Sequence, residues 1–309
     1  MITLLSAGVM WVLVLAICES RYPAEQVCMI ALFCIHFHTV GDQVDGMQAV
    51  RTKTCSPLGG FLDHYCDCYT GSIIVLSAYY VIQQLPLGLM LFVEWLCLMA
   101  FVVTYVEELK TDRLIFGTIG PLEAELIMMV FFLTSALPVT RSFWVSELVN
   151  GYSNFWIIAI IAVVGFAWTI ISACYRMKGI PRQFIVSALT SLVLAIALSF
   201  QESISPIQSW LVLTFYGANC LCGVMRGRML GNPLRYPDLT GTVAALALSA
   251  IILFHLVDNK NTGFLLNLLL VYLSARAVID FIGILTRFRQ YWHWSNPRGV
   301  LITVAEKDR

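Results

Sequence analysis

Four aspartates stand at helical spacing in one short stretch, Asp42-x-x-Asp45-Gly46-x-x-Ala49 and then Gly59-x-x-x-Asp63-x-x-x-Asp67. Residues three or four apart share a face of a helix. Asp42, Asp45 and Ala49 therefore form one stripe, and Asp63 and Asp67 form another. Between them, residues 52–57 (TKTCSP) read as a polar turn. Pro57 cannot continue a helix comfortably, and it pushes the residue before it towards extended geometry. Folding at this turn sets the stripes against each other, so that four carboxylates converge. Uncompensated, they repel; a divalent cation or two resolves the conflict. A set of oxygen ligands suits magnesium, which usually bridges carboxylates to substrate phosphates. Gly46, Ala49 and Gly59 have no bulk, so a ligand can approach the backbone closely. Ordinary helix-end carboxylates facing water would not need this spacing.

The elements that must position these residues are membrane helices. The chain has 309 residues, 59% hydrophobic and 12% charged, with a mean hydropathy of +0.80. That composition excludes a soluble domain. A bilayer span needs about 20 mostly apolar residues, and ten candidate segments follow: roughly 2–18, 26–45, 61–82, 86–106, 120–138, 153–174, 183–200, 206–225, 239–257 and 263–285. The expected fold is an all-α polytopic membrane protein, a single domain over 1–309. The first segment has no basic n-region and no clear cleavage site, so it reads as a true span rather than a signal peptide. Loops after even-numbered spans hold Arg51, Lys53, Lys110, Arg113, Arg176, Lys178, Arg182, Arg226, Arg228 and Arg235, whereas those after odd-numbered spans hold only Arg21, Arg141 and Lys260. Positive charge gathers on the cytosolic side. The aspartate turn and both termini are therefore expected to face the cytosol. Residues 109–120 and the aromatic tail with Phe288, Tyr291, Trp292 and Trp294 have the composition of interfacial segments.

The 42–67 pattern resembles that of the CDP-alcohol phosphotransferase family, D-x-x-D-G-x-x-A-R, eight residues, then G-x-x-x-D-x-x-x-D. The wider stretch is similar to the eukaryotic choline/ethanolamine phosphotransferases through Arg51-Thr52, Ser56-Pro57-Leu58-Gly59 and Asp63-His64-x-Cys66-Asp67. Gly120-Pro121-Leu122-Glu123 is similar to the family's G-P-T-E. The core motif is specific; beyond it the likeness is weak but runs nearly the whole length.

The resemblance implies magnesium or manganese held by Asp42, Asp45, Asp63 and Asp67, clamping the pyrophosphate of CDP-ethanolamine or CDP-choline. It implies attack by the hydroxyl of diacylglycerol, with His64 as general base and Glu123 supporting it. Imidazole, with an unperturbed pKa near 6.5, can take a hydroxyl proton at neutral pH. Metal-bound carboxylates are poorer bases, although Asp67 is a rival. The family context further implies an endoplasmic reticulum or Golgi membrane, frequent homodimers and no nucleic-acid partner.

Two departures bear on CDP binding rather than on the metal. The family's Arg after the motif Ala is Val50 here, and Arg51 lies about 100° round the helix. The chain also opens at Met1-Ile2-Thr3, where the family usually has a segment ending in a cytidine-contacting Pro-Asn. The alternatives are a diverged, non-enzymatic member and a branch using CDP-diacylglycerol, whose members generally have about six spans. Carboxylates at one membrane edge, not at the midplane, argue against a transporter.

Other charged residues within spans read as interhelical contacts: Glu94, and Arg276 with Asp280 as an i,i+4 pair. His36 and His38 read as packing or interfacial residues, and the ten cysteines as small packing residues.

Overall fold

The computed structural model describes residues 2–18, 22–82, 85–111, 113–115, 120–149, 151–201, 204–229 and 238–295. Helices α1 (Ile2–Cys18), α2 (Ala24–Thr52), α3 (Pro57–Ile82), α4 (Leu87–Thr111) and α5 (Pro121–Ala136) carry or flank the aspartate motif. A short α6 (Pro138–Val145) and a ribbon of β1 (Glu147–Val149) and β2 (Tyr152–Ser153) follow. The ribbon is antiparallel, with Glu147 opposite Ser153 and Val149 opposite Tyr152. Then come α7 (Trp156–Arg176), α8 (Arg182–Ser199), α9 (Pro206–Met229), α10 (Leu239–Leu253) and α11 (Asn259–Ser295).

Each of the ten expected spans coincides with a helix, and the fold is an all-α polytopic membrane fold. Length and apolarity nevertheless mark fewer of those helices as membrane-crossing. Six pass among the described residues, namely α2, α4, α7, α8, α9 and α11, with α5 and α6 together as a seventh. The others fall short for different reasons. Helices α1 and α10 have 17 and 15 residues, below the length of a full span. Helix α3 is long enough at 26 residues, but residues 63–72 carry Asp63, His64, Asp67, Thr70 and Ser72.

The break after α5 follows from Pro138. A residue before proline is driven to extended geometry, and Leu137 sits at φ −85°, ψ 125°. Pro138 then opens α6, which leaves at 106° to α5. Helix α6 satisfies carbonyls at the end of α5: Arg141 Nη1 donates to Ser135 O at 3.3 Å, and Thr140 Oγ1 donates to Thr134 O at 2.6 Å.

Helix α3 sits at the centre, packed against α1, α2, α4 and α9. Glu94 of α4 is fully buried and accepts from Ser72 of α3 and, at 3.0 Å, from Thr214 of α9. Trp210 Nε1 donates to Ser72 O at 3.1 Å. Three helices thus share one buried polar knot, an arrangement favoured where no water competes. Helices α4 and α9 approach closely at Gly217, where a Cβ would lie 2.9 Å from the Leu98 side chain. Arg276 Nε pairs with Asp280 at 2.9 Å as expected, and Arg226 of α9 joins the same carboxylate at 2.7 Å. All ten cysteines are free, and six are buried as packing residues.

Basic connections collect at one end of the bundle. Arg176 at the end of α7 forms a two-bond contact with buried Glu107 of α4. Lys110 Nζ reaches Gly179 O at 2.8 Å. The α2–α3 turn lies at that same end, because His64 in the second turn of α3 packs on Tyr105 near the end of α4. Residues 116–119 of the expected interfacial segment, Arg21 and Arg235, and the side chains of Arg228 and the aromatic tail lie outside the described residues.

Candidate active site

The turn that joins the two aspartate stripes is built from two helix caps. Helix α2 ends at Thr52, and Lys53 takes the left-handed conformation (φ 56°, ψ 37°). Its N–H donates to Val50 O at 3.2 Å, and that of Thr54 donates to Ala49 O at 2.9 Å, which satisfies terminal carbonyls of α2. At the start of α3, Ser56 Oγ accepts from Gly59 N at 3.0 Å. Serine before proline is a favourable helix start, with the hydroxyl capping and Pro57 at the first helical position. Gly59 belongs to this cap: a Cβ there would stand 3.3 Å from Ser56 Oγ.

The turn delivers Asp42 of α2 against Asp63 and Asp67 of α3. The Asp42 and Asp63 carboxylates meet across the interface, and Asp42 also feels the charge of Asp67. Ligand atoms of Asp63, His64 and Asp67 all lie within 4.8 Å of one another. His64 Nδ1 is 3.8 Å from Asp63 Oδ2 and 3.7 Å from Asp67 Oδ2. Asp45, a turn beyond Asp42, is half-buried and stands outside this trio. Beside the carboxylates opens a cavity of about 470 Å³ lined by Asp42, Gln43, Gly46, Met47, Val50, Arg51 and Asp63. A Cβ at Gly46 would meet nothing within 4 Å, so the missing side chain enlarges the cavity. Ala49 is half-buried on the same helix.

Whether a cation fits can be read from the carboxylates themselves. Asp42 Oδ1 is buried and accepts no hydrogen bond, and Asp67 Oδ1 is buried with only His38 Nε2 facing it, at a long 3.5 Å. A buried anionic oxygen without a donor is costly, and like charges this close add to the cost. A hard cation held by oxygens removes both penalties. The residues present therefore fit a divalent ion.

Val50 is 70% exposed and lines the cavity together with Arg51. The helical offset between them does not keep Arg51 away, because a long side chain at the last turn of α2 can still reach the opening.

Two findings were not legible from the motif. Glu123 accepts from Gly120 N at 2.8 Å, so its carboxylate caps the start of α5. The α5 carboxylate recorded against a histidine is instead Glu125, whose Oε1 lies 3.8 Å from His38 Nε2. His38 also faces Asp67 Oδ1 at 3.5 Å and is 1% exposed. It is neither interfacial nor mere packing. The available signal was its place one turn before Asp42, on the same stripe of α2.

Residues 1–149 match the family model described as CDP-alcohol phosphatidyltransferase. Among curated relatives, the chain is similar to human cholinephosphotransferase 1, 27% identical over 124 residues, covering 38% of this chain and 29% of that protein. Mouse ethanolaminephosphotransferase 1 is 29% identical over 102 residues, covering 32% and 26%. An uncharacterized class-I family protein 3 of Dictyostelium discoideum is 35% identical over 130 residues, covering 41% and 32%. Each match spans less than a third of the relative's length. The aspartates that converge in space all lie within the matched residues, so residues 1–149, just under half of the chain, are similar to the CDP-alcohol phosphatidyltransferase family.

Proposed function

We propose that this protein transfers phosphoethanolamine or phosphocholine from the CDP-alcohol to diacylglycerol, giving phosphatidylethanolamine or phosphatidylcholine and CMP. The observation that carries this reading is the meeting of Asp42, Asp63, Asp67 and His64 beside a cavity open at one end of the bundle. The named relatives, a cholinephosphotransferase and an ethanolaminephosphotransferase, support the substrate class. The number of apolar helices does not discriminate it from the CDP-diacylglycerol branch. Residues 1–309 act as one domain in this reading, since α3 and α4 of the matched half pack on α9 of the other.

Asp42, Asp45, Asp63 and Asp67 would hold magnesium or manganese, which when bound neutralises pyrophosphate charge and fixes its orientation. In the transfer, the acceptor hydroxyl oxygen forms a bond to the β-phosphorus. The bond from that phosphorus to the bridging oxygen breaks, and the electron pair leaves with CMP. His64 takes the hydroxyl proton. Its Nδ1 is turned to Asp63 and Asp67, which holds a proton on that nitrogen and leaves Nε2 as the accepting atom. Glu123 keeps α5 capped, and so fixes the helix that brings Glu125 to His38. Gly46 and Ala49 leave room for the phosphates, and Gly59 secures the turn. The site faces the cytosol of an endoplasmic reticulum or Golgi membrane, by the basic residues gathered at its end of the bundle.

The test is an assay of purified protein with labelled CDP-ethanolamine or CDP-choline, diacylglycerol and Mg²⁺. Labelled phospholipid is the expected product. No product from either donor, with folded protein, overturns the assignment. Product formed only from CDP-diacylglycerol and a soluble alcohol moves the chain to the other branch.

The exposed Val50 favours a second reading, a member that has lost turnover. It also gives a prediction. Val50→Arg places a cation on the cavity wall, and a charge-assisted hydrogen bond contributes about 1.5–3 kcal/mol. The KM for the CDP-alcohol should fall about tenfold to a hundredfold. An unchanged KM would mean that Arg51 already serves the phosphates.

A further inference from the structure

We infer that His38 is a positioning residue of the metal centre, holding Asp67 of α3 in register with Asp42 of α2. This rests on the metal reading above. His38 and Asp42 are one turn apart on α2, so both face α3. The ring is buried between two carboxylates: Nε2 stands 3.5 Å from Asp67 Oδ1 and 3.8 Å from Glu125 Oε1. Ser6 Oγ of α1 lies 3.3 Å from Nδ1. A hydroxyl donating to Nδ1 keeps the ring proton on Nε2, where it points at the carboxylates. Glu125 is itself anchored, with Thr39 Oγ1 donating to its Oε2 at 2.6 Å.

His64 and His38 hold Asp67 from opposite oxygens, Oδ2 and Oδ1. The two contacts differ in what they can control. A carboxylate torsion is broad and roughly two-fold, so His64 can orient Asp67 but, sharing its helix, cannot place it against α2. His38 can, because it comes from the helix that bears Asp42. Its other partners lie on α1 and α5, so four helices meet at one imidazole. Outer partners of this type orient a ligand, and their loss typically costs about 10–100-fold in metal affinity.

The experiment measures Mn²⁺ alone, without substrate, by the loss of the free-ion electron paramagnetic resonance signal. Wild type, His38→Gln and His38→Leu are compared as purified full-length protein, with melting temperatures in EDTA as a check of folding. His38→Leu fills the volume without a donor; His38→Gln keeps an N–H near Nε2. The expected result is a Kd raised about 10–100-fold in His38→Leu and largely restored in His38→Gln. A Kd unchanged in His38→Leu overturns the inference. Equal weakening in both variants also overturns it, since the N–H would then be irrelevant. No Mn²⁺ binding by the wild type overturns the metal reading itself, a separate and recognisable failure.

Discussion

Asp63→Asn will abolish transfer while leaving a protein that is no less stable than its parent in EDTA. The two halves of this result come from one cause. Asp63 meets Asp42 directly and stands within 4.8 Å of its partners in the trio. With metal bound, that carboxylate supplies negative charge to the ion; charge stabilisation of this kind amounts to several kcal/mol. At about 1.36 kcal/mol per factor of ten, the rate should drop by about 10³ or more. Without metal the same carboxylate repels Asp42 and Asp67, and a neutral amide relieves that repulsion. The wild type should therefore gain stability from Mg²⁺, by about 2.7 kcal/mol at a hundredfold excess over Kd, and Asp63→Asn should gain far less. Melting curves with Mg²⁺ and with EDTA, beside the transfer assay, check both halves. Full activity of either protein in EDTA would show that the carboxylates have another purpose.

His64→Ala should lower kcat by about 10²–10⁴, the usual contribution of a positioned general base, and leave CDP-alcohol binding nearly intact. The ring stands at the edge of the carboxylate cluster, its centroid 5.1 Å from that of Tyr105. It lies outside the cavity lining, so the nucleotide has no need of it. The rival, Asp67, already has a histidine on each oxygen, which makes it a poor acceptor for a further proton. Near-normal turnover in His64→Ala would return the role to Asp67. Loss of CDP-alcohol binding in that variant would make His64 a structural residue. One preparation, measured for turnover and for nucleotide binding, separates the three.

Much of the site was legible because its spacing is local. Asp42 and Asp45 share a face by helical repeat, and the Ser56-Pro57-x-Gly59 run spells a helix start, so the hairpin of α2 and α3 could be read from residue types. What could not be read is set by packing between distant elements. Nothing in the spacing tells whether Glu123 or Glu125 turns inward, because that depends on how α5 rolls against α2. His38 stood in a mostly apolar segment beside Phe37, and its carboxylate partners are 29 and 87 residues away in the chain. Ten hydropathy peaks located ten helices, but hydropathy cannot tell a short buried helix from a span. Pro138 carried the signal for the break after α5, hidden at the edge of an apolar segment.

The polarity of α3 has a consequence for how the chain is made. On insertion scales an aspartate at a helix centre costs about 2.5–3.5 kcal/mol, and α3 carries Asp63 and Asp67 in its first half. It is not among the helices apolar enough over a full span to cross a membrane unaided. Asp67 meets His38 only when α2 stands alongside, and Ser72 finds its side-chain partners only when α4 and α9 have arrived with Glu94 and Thr214. The aspartate-bearing helix is thus expected to settle late. A chain truncated before α9 should leave α3 accessible to water-soluble cysteine reagents at Cys68, which the finished bundle buries completely.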